Sequence, residues 1–325
     1  MTHEPSQRAL LEAAAEGLRR LAGDARCRTA FTVPGSTLRE VLSPAARRYV
    51  IAPDRAGFLE EARALRAKGY RVSAAFVPPD QDGSDPAGVE RIVVEYLELL
   101  AHGAAPDRLG FDLCDVGLAL SPELAAENTG RIAAAAAARG SEVVLSMERS
   151  RTVDAVLGVY GALADRYGNL GITLQAHLHR TEDDAAAMAR PGRRIRLVKG
   201  AFPEPARTAL GRGPALDDRF LALAGRLVDE GVRLSLATQD PVVLAAADRG
   251  GLLDRIEDVE MLYGVQPRLL RHYREAGRPC RIYATYGTNW WLHLLRRLTE
   301  HPPMVLSALA DIGAGRDVAA ATEYA

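Results

Sequence analysis

The sequence predicts an α/β protein, a (β/α)8 TIM-like barrel preceded by N-terminal helices and closed by a final helix over the barrel mouth. Three observations predict it. After Gly69, eight short β-branched or apolar runs alternate with longer stretches of helical periodicity. No domain-scale linker interrupts them, and no GxGxxG follows any of the runs, as a Rossmann arrangement would require.

The chain has 325 residues, enough for one barrel of this kind. Residues 1–70 read as a helical segment packed on the barrel, broken at Pro34-Gly35 and Ala52-Pro53-Asp54. The apolar run 49–52 reads equally as a strand or a connector. The eight strand candidates are 71–77, 109–114, 142–147, 172–176, 194–198, 232–238, 259–263 and 281–284. Between them, 88–101, 122–138, 153–167 and 215–230 carry helical periodicity. The Pro/Asp/Gly stretch 78–88 reads as a long loop after the first barrel strand, 288–300 as the helix across the mouth, and 311–325 as a C-terminal tail, so that the barrel occupies 71–310.

Composition narrows the function classes. With 41 basic against 42 acidic side chains, no basic face for nucleic acid or a membrane surface is expected. The start of the chain reads as an amphipathic helix without a secretory signal, and the Ala-rich run 132–138 is too short to span a bilayer. Cys27, Cys114 and Cys280 form neither a zinc spacing nor a disulfide framework, which suits a reducing cytoplasm.

A barrel places its active site at the C-terminal strand ends. The candidates there are Asp112, Asp115, Ser146, Glu148, Gln175, His177, His179, Lys199, Thr238, Gln239, Tyr263, Tyr283 and Thr285. Two runs stand out. Arg196-Leu-Val-Lys-Gly-Ala201 ends a strand with a cation beside a flexible backbone position, suited to a phosphate or ribose. The run 281–300 ends a strand in a glycine turn and continues into a helix bearing adjacent Arg296 and Arg297, whose forked guanidiniums suit a carboxylate.

Together with Leu174-Gln175-Ala-His-Leu-His-Arg-Thr-Glu182, Ala237-Thr238-Gln239-Asp240 and Met261-Leu262-Tyr263-Gly264, these runs resemble the single-domain proline dehydrogenase family over residues 71–309. The resemblance implies a flavin, FAD in preference to FMN, bound noncovalently. By position, it implies that Gln175 and Arg196 contact the isoalloxazine. Lys199, Gly200 and Ala201 would hold the ribityl–phosphate region, with Thr238, Gln239 and Glu300 adding contacts. Arg296 and Arg297 would grip a substrate carboxylate, Tyr283 would line the pocket, and Leu197 would pack on the substrate ring. The implied reaction oxidises proline or a proline-like amine to an imine by hydride transfer to the flavin, with quinone or oxygen as candidate acceptors. Orientation and a cation near the reduced ring are the main requirements.

The departures cluster in the substrate pocket. The family's lysine on the second strand is Asp112, and its partner aspartate before Met-Glu is Ser146. Two family tyrosines are Phe202 and His293, the first-strand Leu-Gly-Glu is replaced by the run ending Pro79-Asp80, and a motif histidine is Gln239. The glutamine before Met-Leu-Tyr-Gly is Glu260, where a carboxylate facing a nucleotide phosphate would repel it. Losing lysine and aspartate together avoids stranding one charge. The swap implies a small carboxylated amine as substrate, with Asp112 either meeting a second polar group on it or pairing with a basic side chain. Two other readings stay open: an altered or inactive barrel that binds a ligand, and a metal-dependent hydrolase using Asp112, Asp115, His177 and His179.

Overall fold

In a computed structural model, residues 6–33, 35–78, 82–300, 304–315 and 324 are described. The strands are β1 (Val50–Ala52), β2 (Arg71–Phe76), β3 (Arg108–Phe111), β4 (Glu142–Leu145), β5 (Leu170–Gln175), β6 (Arg194–Val198), β7 (Arg233–Ala237), β8 (Asp258–Leu262) and β9 (Cys280–Tyr286). All pairings among them are parallel. β2 through β9 pair in chain order, and β9 pairs back onto β2 with Val72 opposite Ile282, so eight strands close into the barrel. The ambiguous run before Pro53 is strand β1, which pairs with Thr285 and Tyr286 of β9, beyond the stretch that β8 occupies.

Sequence chemistry sets these elements. The barrel strands are covered on both faces, and β5 is buried along its whole length. Five of the outer helices open on proline at their first turn: Pro86–Ala101, Pro122–Ala137, Pro214–Asp229, Pro241–Arg249 and Pro267–Glu275. There the missing N–H costs nothing and the fixed φ favours the helix. Asp85, Ser121 and Asp240 add side-chain caps to three of them. The strand expected over 109–114 ends at Phe111, because Leu113–Val116 winds into a 3-10 turn.

A second apolar cluster ties the N-terminal helices to the helix over the mouth. Phe31 meets Trp290 edge-on at 4.6 Å and Trp291 at 5.5 Å, among Tyr49, Leu294, Leu295 and Met304. Position 311, expected to open a tail, lies instead in the helix Met304–Ala314. There Asp311 is fully buried and takes two 2.8 Å hydrogen bonds from Arg48. Pro79 and Asp80 lie outside the described residues.

Candidate active site

A cavity of about 740 Å³ opens at the C-terminal strand ends, within the ~300–1,000 Å³ usual for ligand and cofactor sites. The helix Trp291–Glu300 roofs it. Its His293, Arg296, Arg297 and Glu300 all line the cavity, as the i, i+3, i+4 spacing of one helical face requires. From the strand ends come Asp112, Ser146, Gln175, Arg196, Lys199, Gly200, Ala201, Phe202, Thr238, Gln239 and Tyr283, so nearly every predicted site residue converges here.

Leu197 does not. In β6, Arg196 and Val198 face the cavity while Ile195 and Leu197 point the other way, and Leu197 is fully buried in the main core. Strand alternation removes it from the substrate. His177 and His179 also lie off the cavity wall: His177 packs on Gly200, and His179 Nε2 sits 2.9 Å from the Ala206 carbonyl oxygen. Among the described residues no three His, Cys, Asp or Glu side chains converge as a metal site. Tyr263 stacks on Tyr324 at 5.7 Å and is not part of the lining.

The two cations of the β6 run are both engaged. Lys199 gives its ammonium to Asp217 and, at 2.7 Å, to Asp240. Gly200 has φ +117°, and a Cβ there would lie 1.8 Å from His177 Nδ1, so glycine is required by packing as well as by backbone conformation. Arg196 donates Nε to Glu260, and its guanidinium lies 4.8 Å from the centre of the Tyr283 ring. Glu260, expected to face a phosphate, is buried instead between Arg196 and Arg108, the latter at 3.3 Å. Its charge is spent on guanidiniums inside the barrel. Sequence reasoning missed this partner because Arg108 lies about 150 residues away along the chain.

The substrate-side charges are less satisfied. Arg296 makes no ion pair among the described residues, and its guanidinium stacks 5.3 Å from Phe202, which Arg149 also approaches at 5.4 Å. Burial pulls its affinity for a proton down, partly offset by Asp112. Arg297 holds Glu300 at 2.7 Å, but its Nε is buried without a partner. Burial, helped by Arg297, pushes His293 down to about 3, so it is neutral and adds no third cation. Tyr283 is pushed up to about 12, chiefly by burial, and remains a phenol.

Asp112 forms no ion pair among the described residues, which removes the simple reading that a neighbouring base neutralises it. Burial and then the charge of Glu148 raise it to about 6, against a favourable Ser146 hydroxyl. Asp115 is likewise raised well above the usual carboxylate range, by burial, Asp112 and Glu148. Glu148 in turn accepts from the Cys114 backbone N–H at 3.1 Å and from its thiol at 2.8 Å. The pocket therefore carries an acidic wall as well as a free arginine.

The residues present fit a flavin at the ring end. Gln175 donates to the Glu148 carbonyl oxygen at 2.7 Å, which leaves its own amide oxygen for a ligand donor. The Thr173 hydroxyl on the same wall is buried and unpartnered, the condition in which a buried polar group calls for a ligand or water.

The comparisons with known proteins agree with this geometry. Residues 58–302 match the family model described as proline dehydrogenase. The chain is 28% identical over 220 residues to proline dehydrogenase 1 of Bacillus subtilis, covering 66% of this chain and 73% of that protein. It is 30% identical over 222 residues to proline dehydrogenase of Deinococcus radiodurans, covering 66% and 67%. The crystal structure of proline utilization A from Bdellovibrio bacteriovorus, inactivated by N-propargylglycine, shares the fold with a TM-score of 0.71 at 15% identity. That alignment covers 88% of this chain and 38% of the longer protein.

Proposed function

The chain belongs to the proline dehydrogenase family, and on that premise we propose that it oxidises proline or a proline-like amino-acid amine to the imine, using FAD held in the barrel cavity. The observation that carries this reading is one cavity in which Arg196 and Gln175 on the strands share a wall system with Arg296 and Arg297 on the roofing helix. FAD supplies the two-electron acceptor; the protein supplies binding, orientation and electrostatics.

Arg196 and Gln175 hold the ring end by hydrogen bonds. Gly200, Ala201, Thr238, Gln239 and Glu300 line the way to the ribityl–phosphate end, and Lys199 joins them only by sharing an ammonium already given to Asp217 and Asp240. Arg296, exposed at the cavity and without an ion pair among the described residues, receives the substrate carboxylate, and buried Arg297 completes the fork through its unpartnered Nε. A carboxylate there repairs the desolvation that lowers Arg296. Tyr283, Phe202, Ser146 and neutral His293 shape the space around the amine. No strong base is needed if the amine arrives neutral, and Asp112 stands where a second amine or a hydroxyl of the substrate would meet it. The electron acceptor in this reading is a quinone or oxygen. Among the described residues no helix is long and apolar enough to cross a membrane, and we place the enzyme in the cytoplasm. Anaerobic mixing of the flavin-loaded protein with proline, hydroxyprolines, pipecolate and diamino acids tests the reading: at least one should bleach the flavin, and an unchanged spectrum with all of them would reject it.

A further inference from the structure

The cavity floor rests on a buried ion chain that runs down the barrel axis. Arg196 on β6 donates Nε to one oxygen of Glu260 on β8. The other oxygen takes Arg108 of β3 at 3.3 Å. Arg108 reaches on to Ser235 of β7 at 2.8 Å and to Glu142 of β4 at 2.8 and 3.0 Å. Beside it, Arg281 of β9 binds Asp258 at 2.8 Å. These positions all face inward, where barrels are usually filled by branched aliphatic side chains. The Glu260 side chain has no exposed surface and that of Arg108 has 1%. A carboxylate so placed is costly unless fully paired, and two guanidiniums pair it.

The pairing has a consequence at the cavity. The Arg196 guanidinium is fixed on two sides, by Glu260 at Nε and by the Tyr283 ring at 4.8 Å. Its counter-charge sits directly beside it, so the cavity receives the orientation of a guanidinium without the full field of an unpaired cation. Positive charge near a flavin favours its reduced, more negative form; a buried carboxylate opposes it.

We propose that Glu260 is a positioning residue, which sets the orientation of Arg196 and holds the midpoint potential of the bound flavin down. This rests on the flavin reading of the cavity. The competing role is purely structural: Glu260 as counter-ion of Arg108 with no influence on the ligand.

The test is an anaerobic reductive titration against reference dyes of the flavin-loaded wild type, Glu260→Gln and Glu260→Asp, together with the rate of flavin reduction by substrate. Glu260→Gln keeps the shape and removes the charge. It should favour the reduced flavin about tenfold, a shift of about 30 mV more positive for a two-electron couple. Glu260→Asp keeps the charge but withdraws the carboxylate from Arg196; its potential should stay near that of the wild type while reduction slows severalfold. An unchanged potential in Glu260→Gln overturns the proposal. So does a Glu260→Asp variant that matches the wild type in both readouts, which decides the matter if Glu260→Gln does not fold. A wild type that takes up no flavin overturns the flavin reading itself and this inference with it, and is recognisable before any variant is made.

Discussion

Replacing Asp112 by asparagine should stabilise the protein, increasingly from about pH 4 and fully above about pH 6. Burial and Glu148 raise the Asp112 carboxyl from 3.8 to about 6. Between those values the folded state holds a proton that the unfolded chain has released, so stability falls as pH rises through this window and stays lowered above it. At about 1.4 kcal/mol per pH unit, the ionised carboxylate costs at most about 3 kcal/mol at pH 8 and about 0.5 kcal/mol at pH 4. Asparagine keeps the shape and the hydrogen bond to Ser146 without the charge. It also relieves Asp115, which Asp112 pushes upward. Urea unfolding of the wild type and Asp112→Asn at pH 4 and pH 8 measures the difference. Equal effects at both pH values, or a less stable variant at pH 8, would refute an uncompensated Asp112. Because the carboxylate is retained at such a cost, the same variant should weaken binding of an amine-bearing substrate, read as a higher KM.

Two further predictions follow from the same cavity. Arg196→Ala should lose flavin, or slow its reduction at least tenfold, because the ring end loses its only cation anchored on β6 while Glu260 is left with Arg108 alone; unchanged flavin content and rate would count against that role. Asp112→Lys combined with Ser146→Asp should raise activity on proline and depress it on the native substrate, and an unchanged ranking with flavin still bound would make Asp112 structural. Both changes are made together because they restore the lysine–aspartate pair of the family pattern as a unit, and neighbouring charges do not act additively.

The barrel was legible in the sequence because its signals are local. Strand runs such as 194–198 and 71–77 and proline-led helices such as Pro122–Ala137 announce themselves within a few residues. The helix over the cavity was legible for the same reason, since His293, Arg296, Arg297 and Glu300 share one helical face. What failed was long-range or depended on facing. Leu197 follows Arg196 in a functional-looking run, yet alternation turns it into the helix-facing core. Lys199 stands at the cavity as expected, but its pairing with Asp217 of one helix and Asp240, the cap of the next, was not legible in its own run. Glu260 looked like a hazard to a phosphate; Arg108 and Arg196, from strands across the barrel, make it an internal counter-ion. Local pattern carries secondary structure, whereas charge pairing depends on the closed barrel.

The most direct test of the account is the visible spectrum of the purified, flavin-loaded protein followed anaerobically while a cyclic amino acid is added. Arg296 and Arg297 over a cavity walled by Arg196 and Gln175 predict a flavin band that bleaches with proline or a proline-like amine and returns when an electron acceptor is admitted. A protein that binds no flavin, or a flavin band that no such amine bleaches although dithionite does, would contradict it.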